Sequence, residues 1–154
     1  RDTESGRLYV NVARAVSRGM ESGFTLRWPG GRISGDVDYV LTDARDLDIG
    51  RPMPYVPVHR VQVRVVSTPL SAVRVSLRGD WAGPRPGEST FSRYDGYTIA
   101  YGTLACTWNI VTAALFVDNI LDTEYATEDP AYPMPGRVIR AELSLAMRGT
   151  VKRN

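Results

Sequence analysis

From Val58 to Val66 the chain alternates apolar and polar residues without a slip: Val61, Val63 and Val65 interleave with Arg60, Gln62 and Arg64. Successive side chains of a β-strand point to opposite faces, so this run can only be a strand with one apolar and one cationic face. After Ser67-Thr68-Pro69-Leu70-Ser71, which reads as a turn, Val73, Val75 and Leu77 alternate with Arg74, Ser76 and Arg78. The two runs together predict an antiparallel hairpin. The same period returns at Met20–Trp28, Ile33–Leu41, Val111–Val117 and Ile139–Met147, and no segment holds a 3.6-residue pattern. The expected class is therefore all-β.

The connections fall into two kinds that alternate along the chain. Pro29-Gly30-Gly31-Arg32, the Ser67–Ser71 stretch and the break at Trp108-Asn109 are tight, whereas Asp43–Pro57, Ala82–Asp95 and Asp122–Gly136 are long and rich in Gly, Pro and charge. Short turns at one end and long loops at the other is the layout of a membrane β-barrel. Aromatics near strand ends (Trp28, Tyr39, Tyr55, Trp81, Tyr97, Tyr101, Trp108 and Tyr125) suit an interfacial girdle. Roughly seven strands are expected, each about the 9–11 residues that a tilted membrane strand needs. Single-chain bacterial barrels have even strand numbers, and an odd set leaves two open edges. With a start at Arg1 that carries no signal peptide, this points to part of a larger barrel.

Composition bounds the chemistry. Lys+Arg 19 against Asp+Glu 17 leaves +2, and the arginines are spread along the chain, so no nucleic-acid partner is expected. Lys152 is the only lysine. One cysteine, Cys106, rules out an internal disulfide framework, and on a strand it reads as a small apolar filler. A mean hydropathy of −0.22 is compatible with a barrel, in which polar lumenal residues dilute lipid-facing ones. The uncharged window Gly96–Val117 is long enough for a spanning helix, but its Thr, Gly and Asn content and the break at Trp108-Asn109 split it into two strands. His59 stands alone and no Gly-x-Ser-x-Gly elbow exists. Asp36 and Asp38 share a strand face at about glycosidase separation, yet a solvated face explains them better. No catalytic residue, cofactor or metal site is expected.

From Val117 the chain reads Val-Asp-Asn-Ile-Leu-Asp-Thr-Glu-Tyr, then an acidic loop, then Ala-Tyr-Pro-Met-Pro-Gly-Arg. This resembles the C-terminal region of the TonB-dependent outer-membrane receptors, with Asn119, Asp122 and Tyr125 matching the first half of the motif and Tyr132, Pro133, Pro135, Gly136 and Arg137 the second. Two weaker matches precede it: Asn11–Glu21, with Ser17-Arg18-Gly19-Met20-Glu21, and Pro54-Tyr55-Val56-Pro57-Val58-His59. The motif reads as architecture. Asn119 and Asp122 suit backbone capping, Gly136 a φ that other residues resist, Pro133 and Pro135 a stiff return into the sheet, and Arg137 a tie between loop and wall. Chains of this kind typically finish on an aromatic, whereas this one runs past Met147 through Arg148 to Asn154.

The resemblance implies that residues 1–154 are the C-terminal part of an antiparallel membrane barrel of about 22 strands, without its plug domain. The implied function is active transport across the Gram-negative cell outer membrane of a scarce ligand such as a ferric siderophore, haem or cobalamin. The implied partners are outer-membrane lipid, the N-terminal plug, the remaining barrel strands, TonB through the plug, and the small transported molecule. Arg60, Arg64, Arg74, Arg78, Arg140 and Arg148 would face the lumen with Asp36, Asp38, Asp80 and Glu142. Tyr55, Arg85, Tyr94 and Tyr132 are the candidate ligand contacts of the external loops, with Glu128 and Asp129 beside them. The alternative is a soluble or periplasmic lipocalin-like ligand-binding β-barrel, whose valine rows would line a cavity and whose arginines would meet water.

Overall fold

The computed structural model describes residues 14–89, 91–129 and 131–146. Within them there is no helix. The strands are β1 (Ala15–Arg27), β2 (Ile33–Asp46), β3 (Arg51–Pro52), β4 (His59–Leu70), β5 (Val73–Ala82), β6 (Arg85–Pro86), β7 (Arg93–Tyr94), β8 (Tyr97–Trp108), β9 (Val111–Asp118) and β10 (Val138–Leu145). Seven of them form one antiparallel meander in the order β1-β2-β4-β5-β8-β9-β10, with β3 folded back on β2. The pair β6–β7 makes a small separate hairpin. Among the described residues the sheet does not close, and β1 and β10 are its edges.

The register sorts the side chains as the alternation requires. Asp36 lies opposite Arg64 and Asp38 opposite Gln62, while Arg64 faces Arg78 and Gln62 faces Asp80. Arg74 lies opposite Ala105, Ala105 opposite Ala114 and Ala114 opposite Glu142, which carries the same face to the far edge. Arg60, Arg64, Arg74, Arg78, Arg140, Asp36, Asp38, Asp80 and Glu142 thus share one face; Arg148 lies outside the described residues. Like charges directly opposite repel. Here Arg78 is drawn off by Asp80 at 3.1 Å and by the ring of Tyr101, 4.0 Å below it. Arg140 reaches Asp118 at 2.9 Å.

The other face carries Met20, Phe24, Val37, Val63, Val65, Leu77, Leu104, Leu115 and Leu143, all exposed. The accessible surface is 12436 Å², against about 7,700 Å² for a compact monomer of this mass. Among the described residues the sheet has no second layer, which contributes to that excess. Buried apolar side chains among those described are few, Pro57, Ala82, Ile99 and Ala126, so folding draws little from an internal core. An apolar face this large is stable only against a non-aqueous medium or a partner. Cys106 is on that face, exposed rather than buried.

The two ends differ as expected. Three tight turns close one end, at Pro29–Arg32, Ser71-Ala72 and Asn109-Ile110. Gly30 and Gly31 sit at φ 92° and 68° and Asn109 at 54°, the left-handed values that short hairpin turns need. The second turn corrects the sequence reading. Strand β4 continues to Leu70 through an irregularity between Ser67 and Leu70, because Pro69 is tolerated at a bulge and Thr68 N–H finds the carbonyl of Arg32 at 2.7 Å. The long connections 47–58, 83–96 and 119–137 gather at the opposite end.

Candidate functional site

Beneath the long loops the polar face holds a cavity of about 480 Å³, within the ~300–1,000 Å³ span of small-molecule pockets. Its floor is the cross-strand row Asp38, Gln62 and Asp80, its side Tyr97, Ile99 and Tyr101, and its roof Tyr125, Thr127 and Met134 from the 119–137 loop. The row is tied internally, since Gln62 Nε2 donates to Asp80 Oδ1 at 3.0 Å. Tyr97 and Tyr125 meet at 4.9 Å between ring centroids. The Tyr125 hydroxyl titrates above its ordinary range, first through burial and then through the neighbouring phenols of Tyr101 and Tyr97, so it stays a donor at neutral pH. The walls thus offer phenols, carboxylates, one amide and the guanidinium of Arg60 beside apolar side chains. Among the described residues no three His, Cys, Asp or Glu side chains are grouped to hold a metal ion.

This arrangement moves Tyr97, Tyr101 and Tyr125 out of the girdle to which their near-terminal positions had assigned them. Tyr97 and Tyr101 fall on the polar face by register, opposite Ala82 and Arg78. Tyr39 and Trp81 do lie on the apolar face, with Tyr39 Oη 2.8 Å from His59 Nδ1. Tyr55 is in a loop, at φ 66°.

The motif residues hold the roof in place. Asn119 is 3% exposed and sits at φ 52°. Its Oδ1 accepts Thr123 N–H at 3.0 Å, and its Nδ2 donates to the carbonyls of Thr123 at 2.9 Å and Pro135 at 3.4 Å. Asp122, at φ 54°, accepts the N–H of Arg137 at 2.7 Å. Arg137 also sends Nε to the carbonyl of Ile120 at 3.1 Å, so it joins the two ends of the 119–137 connection to each other and does not tie that loop to the wall. Tyr125 carbonyl accepts Met134 N–H at 2.8 Å across the loop between Pro133 and Pro135. Gly136 corrects the expectation of an unusual φ: it has none among the positive values, and a Cβ there would stand 2.9 Å from Asp122 Oδ1, so that carboxylate would have to shift.

The structure brings together three of the candidate loop contacts, Tyr55, Arg85 and Tyr94. Arg85 is 3% exposed. Its Nη1 donates to the carbonyl of Asp95 at 3.2 Å and its Nη2 to those of Ala126 and Glu128, which leaves it turned inward. Tyr55 donates to Glu88 Oε1 at 2.8 Å and stacks on Tyr94 at 5.8 Å. Burial, then that hydrogen bond, raise its hydroxyl well above the ordinary phenol range. Tyr132 is 68% exposed at the loop tip. The pocket residues Asp38, Gln62, Asp80 and Thr127 were not marked as a site by sequence. Their parity on adjacent strands was legible; the loop folding over them was not.

No protein-family model matches the sequence, and no curated protein matches it. Solved structures do. The chain superposes on a ferric enterobactin receptor from Pseudomonas aeruginosa with a TM-score of 0.74 at 17% identity, over 88% of this chain and 23% of that one. The siderophore receptor PirA from Acinetobacter baumannii gives 0.71 at 16% identity, over 85% and 22%. The copper transporter OprC gives 0.69 at 17%, over 85% and 23%. The chain spans less than a quarter of the length of each of these proteins. The open seven-stranded sheet, its two faces and its alternating ends give this chain the fold seen in a stretch of each of these three proteins.

Proposed function

We propose that residues 1–154 are the C-terminal barrel segment of a TonB-dependent receptor in the Gram-negative outer membrane. The parent protein imports a scarce ligand such as a ferric siderophore, haem or cobalamin, with plug movement driven through TonB. This segment contributes wall, lumenal face and external loops, and does no chemistry of its own. The observation that carries the reading is the sheet itself, with one apolar face and two edges unpaired among the described residues, superposable on receptor barrels over most of its length.

Strand parity supports a larger parent. In an all-antiparallel set of seven, β1 and β10 run in the same direction. Copies of this chain joined in a ring would therefore meet along parallel seams. An odd number of further strands closes the sheet with every pair antiparallel, and about fifteen would complete a barrel of about 22. A lipocalin-like barrel fits less well. Its valine rows would line the cavity, whereas here the cavity is lined mainly from the polar face, with Val61 at its margin, and Val37, Val63 and Val65 are exposed.

The coding sequence upstream of Arg1 tests the proposal. An in-frame stretch encoding a signal peptide, a plug and about fifteen more strands is the expected result. A start codon or signal-cleavage site directly before Arg1 would contradict it.

A further inference from the structure

Five side chains cross from one long loop to the next in an unbroken series. Tyr55, in the 47–58 connection, stacks on Tyr94 of the 83–96 connection at 5.8 Å with the planes 9° apart. The Arg85 guanidinium lies 5.5 Å from the Tyr94 ring and 5.4 Å from the Tyr97 ring. Tyr97 in turn meets Tyr125 of the 119–137 connection at 4.9 Å. Backbone bonds run alongside: Tyr55 N–H to the Pro86 carbonyl at 2.8 Å, and Arg85 to the carbonyls of Asp95, Ala126 and Glu128. A guanidinium between two aromatic faces gains from both, and more when shielded from water. At 3% exposure Arg85 is shielded.

We infer that this ladder fixes the three long loops as one cap, with Arg85 its central positioning residue, and that it holds Tyr125 and Thr127 over the lumenal pocket. Arg85, Tyr94 and Tyr55 then act by placing the pocket's roof, not by touching what enters. Loop motion on this side is collective: loosening one connection loosens its neighbours in ladder order. The inference concerns loop coupling and stands whatever ligand the parent carries.

Hydrogen exchange on the full-length chain in detergent tests it, with no ligand present. Arg85→Lys keeps the charge but loses the planar fork and its paired carbonyl bonds. It is expected to speed exchange at the amides of 123–129 by about tenfold, and at 53–56 by several-fold, through local opening. Tyr94→Leu removes one rung but spares Arg85's carbonyl bonds. It is expected to speed exchange at 53–56 several-fold and at 123–129 by less than Arg85→Lys does. The inference is overturned if Arg85→Lys alters only 83–96. It is equally overturned if Tyr94→Leu leaves 53–56 as protected as in the unmodified chain, and this second variant decides the matter if the first does not insert.

Discussion

Val63→Arg is expected to destabilise the inserted full-length barrel by about 2–4 kcal/mol, the cost of a lipid-facing cation near the bilayer midplane. Val63 lies in the middle of β4 on the apolar face, between Val37 and Gly79 of the flanking strands, and is 40% exposed there. Its neighbour in sequence gives the contrast. Arg64 faces the polar side opposite Asp36 and Arg78, and Arg64→Ser should change stability by no more than about 1 kcal/mol, as solvated substitutions do. Urea unfolding of both variants in lipid vesicles measures the difference. Equal small effects at the two positions would mean that the valine rows do not meet lipid.

Asn119→Ala should open the 119–137 loop at a local cost of about 2–4 kcal/mol, the sum of lost hydrogen bonds and an unpaired buried backbone group. The side chain makes three bonds to backbone, one to Thr123 N–H and two to carbonyls. It also holds the left-handed φ of 52° that alanine resists. Asn119→Asp keeps the acceptor for Thr123 but sets a carboxylate against two carbonyls, so it should rescue only part of the loss. Exchange at the Thr123 amide and protease cleavage within 119–137 report the opening. Since the bonds are local, the melting of the sheet should move far less. Unchanged protection at Thr123 in the alanine variant would remove Asn119 from its place as the loop's anchor.

How much was legible in the sequence depended on the range of the interaction. Alternation of side chains is a property of each strand alone, so the Val61–Val65 rows and the shared face of Arg60, Arg64, Arg74 and Arg78 could be read before any register was known. The two kinds of connection followed from Gly, Pro and Asn chemistry. The turn after β4 was misplaced because Thr68-Pro69 looks like a turn, and only the carbonyl of Arg32, supplied by the preceding hairpin, allows the strand to pass through it. Tyr97 and Tyr101 carried the parity of the polar face in plain view. Their nearness to the strand end suggested a girdle, and the Tyr125 roof that makes them a pocket comes from a loop. Arg85 was the least legible. It bonds to carbonyls 10 and 43 residues away, and backbone acceptors leave no mark in a sequence.

Which face of the sheet meets lipid separates a barrel wall from a soluble barrel. Spin labels placed singly along β4, from Arg60 to Val66, in the full-length chain with Cys106→Ala as background, measure this directly. Collision with oxygen, which concentrates in the bilayer, should be high at 61, 63 and 65. Collision with a water-soluble nickel chelate should be high at 60, 62 and 64. The opposite phase, or water access at every position, would contradict the barrel-wall reading and favour a soluble β-barrel with its valines inside.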